Sequence, residues 1–214
     1  MSYIAARRLE EKGKRRAEIL DAAEAVALEI GTDAMTMDQV ARKARLSRAL
    51  LYVYFKDKPD VLFAVAERAL GLLRERFVAA QSAHRTGLDQ ITAIGHAYVA
   101  FCREFPVYFD VLSKLQGHEA ELKDTGSTIQ ACMLAGNRVH DVLVQSINTG
   151  IADGSVRPDA GDPRVVSFVL YAFTHGALEM AKRKAEVLPF MGVEPAVLVE
   201  YGIEMARRSL AAKS

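Results

Sequence analysis

The chain has 214 residues, 50% hydrophobic and 26% charged, enough for one or two domains with a real core and too apolar for a disordered chain. Two cysteines, Cys102 and Cys132, lack CxxC spacing, which argues against a disulfide framework or a structural zinc site; no apolar run approaches the roughly 20 residues of a membrane span. The net charge of +1 hides an asymmetry: residues 1–58 carry 12 Lys and Arg against 9 Asp and Glu, the remainder 16 against 18.

The first sixteen residues, MSYIAARRLEEKGKRR, contain no apolar core of a secretory signal, so a cytoplasmic location is expected. From residue 12 to residue 30, Ile19, Ala22, Ala23, Val26, Ala27 and Ile30 recur at three- and four-residue steps, which predicts a helix ending at Gly31. Thr36 with Gln39 three residues on reads as a capping box, opening a short helix to about residue 44. Arg45 and Leu46 form a turn, and Ser47 caps a second short helix to about residue 54. Asp57 caps a fourth helix with Pro59 in its first turn, running to about residue 81.

Further helices are expected at residues 88–104, from Pro106 to about 116, at 127–152, from Pro163 through Met180, and from Pro195 to about 211. Residues 117–126 read as a polar loop or frayed turn, and 153–158 and 189–192 as breaks. No strand pattern stands out. The fold class is therefore all-α.

Two short helices joined by a tight turn are the layout of a helix-turn-helix, whose second helix fits the major groove, about 12 Å wide. Basic residues cluster around it: Arg7, Arg8, Lys12, Lys14, Arg15 and Arg16 precede it, and Arg42, Lys43, Arg45 and Arg48 lie within it. Such clusters serve either as solvated faces or as an electrostatic footprint for nucleic acid.

The segment from Gly31 through Thr36, Val40 and Ala41, then Ser47, Leu51, Tyr52, Tyr54, Phe55 and Lys58, closely resembles the TetR family of transcriptional regulators. The close match covers residues 15–62, and one departure stands out: Arg45 occupies a position where the family usually has glycine. The resemblance implies an N-terminal three-helix helix-turn-helix DNA-binding domain with a basic arm (residues 1–58). A larger helical effector-binding and dimerisation domain (59–214) follows. It implies DNA contacts from Arg15, Arg16, Thr36, Arg45, Ser47, Arg48, Ala49, Tyr52, Tyr54 and Lys58. Arg48 and Ala49 would meet base edges. Thr36, Ser47, Tyr52, Tyr54 and Lys58 would meet phosphates, while Leu51 and Phe55 should be core.

The resemblance also implies a homodimer on a pseudo-palindromic operator in double-stranded DNA, formed through the last two long helices. Val165, Phe168, Val169, Ala172 and Gly176, with Val197, Tyr201 and Met205, offer the small and apolar surface for it. The larger domain concentrates His96, Tyr98, Phe101, Cys102, Phe105, Tyr108, Phe109, Met133, Asn137, His140, Tyr171 and His175. Aromatic stripes of this kind are either core or the lining of a site for a small, largely apolar effector. The histidines lack ligand spacing, so no metal or cofactor is expected. The chain has no phosphate loop, GxSxG or HExxH motif, which argues against an enzyme. The expected function is a sequence-specific repressor released by its effector. The alternatives are an effector-independent architectural DNA-binding protein and a transcriptional activator.

Overall fold

A computed structural model describes residues 3–114 and 127–212; the expected loop at 117–126 lies outside them. Among the described residues the elements are ten helices and no named strand. They are α1 (Tyr3–Ala34), α2 (Met37–Lys43), α3 (Arg48–Tyr54), α4 (Lys58–Ser82), α5 (Gly87–Glu104), α6 (Pro106–Lys114), α7 (Thr128–Asp153), α8 (Pro163–Arg183), α9 (Val187–Phe190) and α10 (Pro195–Leu210).

Local chemistry explains most boundaries. α1 breaks at Gly31, whose φ of 82° suits a residue without Cβ. The Asp57 carboxylate accepts from the Asp60 amide at 2.9 Å in the first turn of α4. The Asp162 side chain accepts from the Val165 amide at 3.0 Å, with Pro163 next in line, so α8 starts where the N-cap and proline dictate. Two boundaries differ from expectation. α1 begins already at Tyr3, so the basic segment expected as an arm is helical. Residues 5–15 are all exposed and have no apolar stripe to reveal the helix; pairs such as Arg7 with Glu11 support it. The break near Pro189 contains a single helical turn, α9.

The chain divides into two compact units. One holds α1–α3, the first half of α4, α6 and the start of α7. Its core joins Ile19, Leu20, Ala23 and Val26 of α1 with Val40 and Ala41 of α2, Leu51 of α3, Phe55, and Val61 and Val65 of α4, all buried. Polar bonds tie α6 to α1. The buried Thr32 hydroxyl donates to Asp110 at 2.5 Å, and the Lys114 ammonium donates to Thr32 at 2.9 Å and Asp33 at 2.8 Å. Lys114 pairing holds the Asp33 carboxyl below its ordinary range.

The other unit holds the rest of α4, α5, the rest of α7 and α8–α10. Here α10 packs on α8 and on α5. Gly202 permits the first contact: a Cβ there would lie 3.3 Å from the Phe173 ring. Gly87 at the start of α5 is pressed against Gly150 of α7, where a Cβ would come within 2.0 Å of the Gly150 nitrogen. The free amides of that first turn are satisfied from the last residue of α7 and the chain just after it: Gly87 N–H donates to Asp153 at 2.8 Å and Leu88 N–H to the Ser155 hydroxyl at 3.1 Å. An isolated bridge between Val156 and Ala211 ties the chain end down.

Candidate nucleic-acid interface

The α2–α3 pair is built from short-range signals. Thr36 caps α2: its hydroxyl accepts from the Gln39 amide at 3.3 Å, and the Gln39 side chain accepts from the Thr36 amide at 2.8 Å. At the other end the Arg45 amide donates to Arg42 O at 3.1 Å and the Leu46 amide to Ala41 O at 2.9 Å. These two bonds form a Schellman motif with Arg45 at the left-handed position, φ 57°. Arginine holds the conformation that glycine adopts more easily, at a cost of about 1–2 kcal/mol. The Ser47 hydroxyl accepts from the Leu50 amide at 3.2 Å and starts α3.

Only Leu51 of α3 is buried; with Phe55 it anchors the helix to the core. The outward face carries Arg48, Ala49, Tyr52 and Val53, one turn repeated at a four-residue step. Val53 is 72% exposed, a large apolar side chain presented to solvent that sequence periodicity alone did not single out. The Arg48 guanidinium lies against the Asp38 carboxylate of α2, 3.2 Å from Nε to Oδ1, and 5.6 Å from the centre of the Tyr52 ring. Sequence reading missed Asp38 too, because only the fold brings it to Arg48.

The other expected contacts fall into two groups. Thr36, Arg45 and Ser47 are exposed at the helix ends, and Arg15 is exposed and paired with Glu18 at 2.6 Å. Arg16, Tyr54 and Lys58 are half-buried. Arg16 sits over the Phe55 ring at 5.5 Å and pairs with Glu67 at 3.2 Å; Lys58 donates to the Asp33 carbonyl at 2.7 Å. Both therefore already brace the three-helix unit.

A family model, Bacterial regulatory proteins, tetR family, matches residues 19–65, the stretch holding both short helices and their anchors. The HTH-type transcriptional regulator BetI of Rhizobium meliloti (strain 1021) is 40% identical over 80 residues. The N-terminal part of the chain, residues 19–65, is therefore a region of the tetR family type. The BetI match spans 37% of this chain and 39% of that relative, so it concerns the N-terminal part alone. Solved TetR-type structures extend the likeness of fold. SmeT, the repressor of the Stenotrophomonas maltophilia efflux pump SmeDEF, gives a TM-score of 0.64 at 20% identity over 93% of this chain and 91% of its own. The transcriptional regulator FadR from Bacillus subtilis, solved in complex with stearoyl-CoA, gives 0.66 at 18% identity over 91% and 98%. α2 and α3 are the TetR-family helix-turn-helix.

The expected effector residues are distributed over both units. In the unit that holds α8 and α10, four of them meet. The Tyr98 hydroxyl and His175 Nδ1 are 2.7 Å apart, Tyr98 and Tyr171 rings 5.8 Å, and His140 and Tyr171 rings 5.7 Å edge-on. His140 also stacks on Phe168 at 3.9 Å, and its Nδ1 lies 3.2 Å from the Ser167 hydroxyl. Burial lowers the pKa of both His140 and His175 and favours neutral imidazoles. Phe101 and Cys102 are buried nearby in sequence on α5, and burial pushes the Cys102 thiol up to about 12. His96 is instead exposed and lies 2.9 Å from Glu200, and Asn137 is exposed.

In the unit that holds the helix-turn-helix, Phe105 and Tyr108 stack at 5.4 Å and Phe109 is buried. Tyr108 donates to Glu24 at 3.1 Å, and Met133 is 49% exposed. Burial pushes the Cys132 thiol up to about 11. Among the described residues no group of three or more His, Cys, Asp or Glu is arranged to hold a metal ion. No helix among them is long and apolar enough to cross a membrane.

Proposed function

We propose that the protein is a dimeric, sequence-specific repressor that binds a pseudo-palindromic operator in double-stranded DNA and is released by a small, largely apolar effector. It acts in the cytoplasm. The observation that carries this reading is the capped α2–α3 pair, anchored inward by Leu51 and Phe55 and turning Arg48, Ala49, Tyr52 and Val53 outward. Arg48 offers the bidentate donors that guanine O6 and N7 accept, and Ala49 and Val53 offer the apolar contact that a thymine methyl takes. Thr36, Ser47, Tyr52, Tyr54 and Lys58 supply phosphate contacts, with Arg15, Arg16 and Arg45 adding positive charge.

Dimerisation is supported by the uncovered apolar faces of α8 and α10. Val165, Phe168 and Val169 on α8 and Val197, Tyr201 and Met205 on α10 are 47–61% exposed, and an apolar stripe of this kind belongs against another helix. Two copies then present two recognition helices to half-sites about one helical turn or more apart.

The effector reading rests on the cluster of Tyr98, His140, Tyr171 and His175, a few polar groups among aromatic rings. FadR's complex with stearoyl-CoA and the description of SmeT as a repressor support the effector and repressor parts by analogy. An effector releases DNA only to the extent that it binds the operator-free conformer more tightly.

Selection of bound sequences from a random duplex library, at two salt concentrations, tests the reading. Enrichment of one pseudo-palindrome with steep salt dependence is the expected result. Salt-dependent binding without enrichment would favour the architectural alternative, and absence of binding would contradict both. Release of the selected duplex by members of an apolar small-molecule library tests the effector. Increased transcription from an operator-bearing promoter after gene deletion distinguishes repression from activation.

A further inference from the structure

Arg48 is the first residue of α3, where the positive end of the helix dipole disfavours a cation. Two groups hold its guanidinium there. The Asp38 carboxylate of α2 lies 3.2 Å from Nε through Oδ1 and accepts from Nη1 through Oδ2 at 3.4 Å. The Tyr52 ring, one turn further along α3, flanks the guanidinium carbon at 5.6 Å. The arrangement is open to solvent: the Arg48 side chain is 65% exposed and that of Asp38 54%.

Stability is a poor reason for such a pair, because exposed ion pairs contribute little to it. Affinity for DNA is no better a reason. A carboxylate beside the reading helix repels phosphates, so a protein optimised for binding any duplex would not keep one there. What the carboxylate does supply is restraint. An arginine free to swing serves a phosphate as readily as a base, and phosphate contacts carry no sequence information. A fork held on one side by Asp38 and on one face by Tyr52 keeps its remaining donors in one direction and loses less entropy when it meets a matching acceptor pair.

We propose that Asp38 is a positioning residue that determines specificity: it aims the Arg48 fork at one guanine of each half-site and gives up total affinity for discrimination. The inference rests on the DNA-binding reading above.

The test compares wild type, Asp38→Ala, Arg48→Ala and the double variant on the selected operator. Each is also measured on operators substituted at every base pair in turn and on an unrelated duplex. Arg48→Ala identifies the pair that Arg48 reads, and a bidentate contact there corresponds to about 5- to 150-fold discrimination. Asp38→Ala is expected to lose about fivefold or more of that discrimination at the same pair. It should leave the other pairs unchanged and bind the unrelated duplex more tightly than wild type. In the Arg48→Ala background, Asp38→Ala is expected to change nothing at that pair.

Loss spread evenly over all pairs would overturn the inference and make Asp38 a support of α2. So would an equal loss in the Arg48→Ala background, which would mean that Asp38 reads a base itself. Asp38→Asn, nearly identical in size, repeats the test if the alanine variant fails to fold. A wild-type protein that selects no sequence would overturn the DNA-binding reading and this inference together; the outcomes above overturn the inference alone.

Discussion

The helix-turn-helix and the α8–α10 pair treat their outward faces in opposite ways. α3 keeps one buried residue, Leu51, and turns out an arginine, a tyrosine and small or branched apolar side chains. Polar groups on α3 and beside it are partly committed within the domain: Ser47 to Leu50, Arg48 to Asp38, and Lys58 at the start of α4 to the Asp33 carbonyl. α8 and α10 bury one side against each other and leave a second apolar stripe uncovered, with Val165, Val169, Val197 and Tyr201 each more than half exposed. A surface of weakly held charges suits a partner bearing many phosphates, whose attraction falls with salt. An uncharged stripe suits a partner that brings a stripe of its own, and the gain there comes from apolar area removed from water. The two partners proposed above differ in the same way: a duplex for α3 and a second copy of the chain for α8 and α10.

The comparison can be broken most forcefully at the apolar stripe. Val169→Glu combined with Val197→Glu adds charge where both side chains are already exposed, so the fold should persist. A dimer in sedimentation should become a monomer, and operator affinity should fall by about 10²- to 10⁴-fold as two-point attachment is lost. Unchanged operator affinity would separate the stripe from DNA binding. On the inward side of α3, Leu51→Ala removes a fully buried side chain. It should cost about 2–5 kcal/mol of stability, read as a drop in the thermal midpoint. Thr36→Ala deletes the capping box and should cost about 1 kcal/mol by chemical denaturation.

Arg45→Gly sharpens the account of the turn. It relieves the left-handed backbone cost of about 1–2 kcal/mol and adds unfolded-chain freedom worth about 0.5–1 kcal/mol, for a net gain between about 0 and 1.5 kcal/mol. A loss of stability would show that the arginine side chain holds the turn.

The smallest signal is the pH response of the histidine cluster. Burial lowers the pKa values of His140 and His175, so the folded protein takes up their protons less readily than the unfolded chain. Their contribution to stability is therefore complete above the ordinary histidine value and is lost as pH falls through the lowered values. Imidazole resonances of both residues should titrate below the ordinary value, and the thermal midpoint should fall between pH 7 and pH 5.5. Titration at the ordinary value would mean that the cluster is open to water.

The parts of the molecule legible in the sequence are those fixed by neighbours a few residues apart. Thr36 with Gln39, Ser47, Asp57 with Pro59, and Asp162 with Pro163 each set a helix start by a bond within one turn. The departure at Arg45 was legible as a departure, and its positive φ is the conformation that a family glycine would adopt. The start of α1 was not legible, because residues 5–15 are exposed on every side of the helix and leave no apolar period. Nor were contacts made by folding alone. Asp38 meets Arg48 from a different helix, and Tyr98 meets His175 across 77 positions of sequence. Aromatic content marked the second cluster as unusual; only the packing of α5, α7 and α8 shows which rings touch.

The most direct test of the central claim, that α3 reads DNA in pairs held together by α8 and α10, is a binding comparison. The duplexes carry either both halves of the selected operator or one half with the other scrambled. The expected result is a protein-to-duplex ratio of two on the full site, and affinity for the half-site lower by about 10²-fold or more. Equal affinity for the two duplexes, with one chain bound to each, would contradict it.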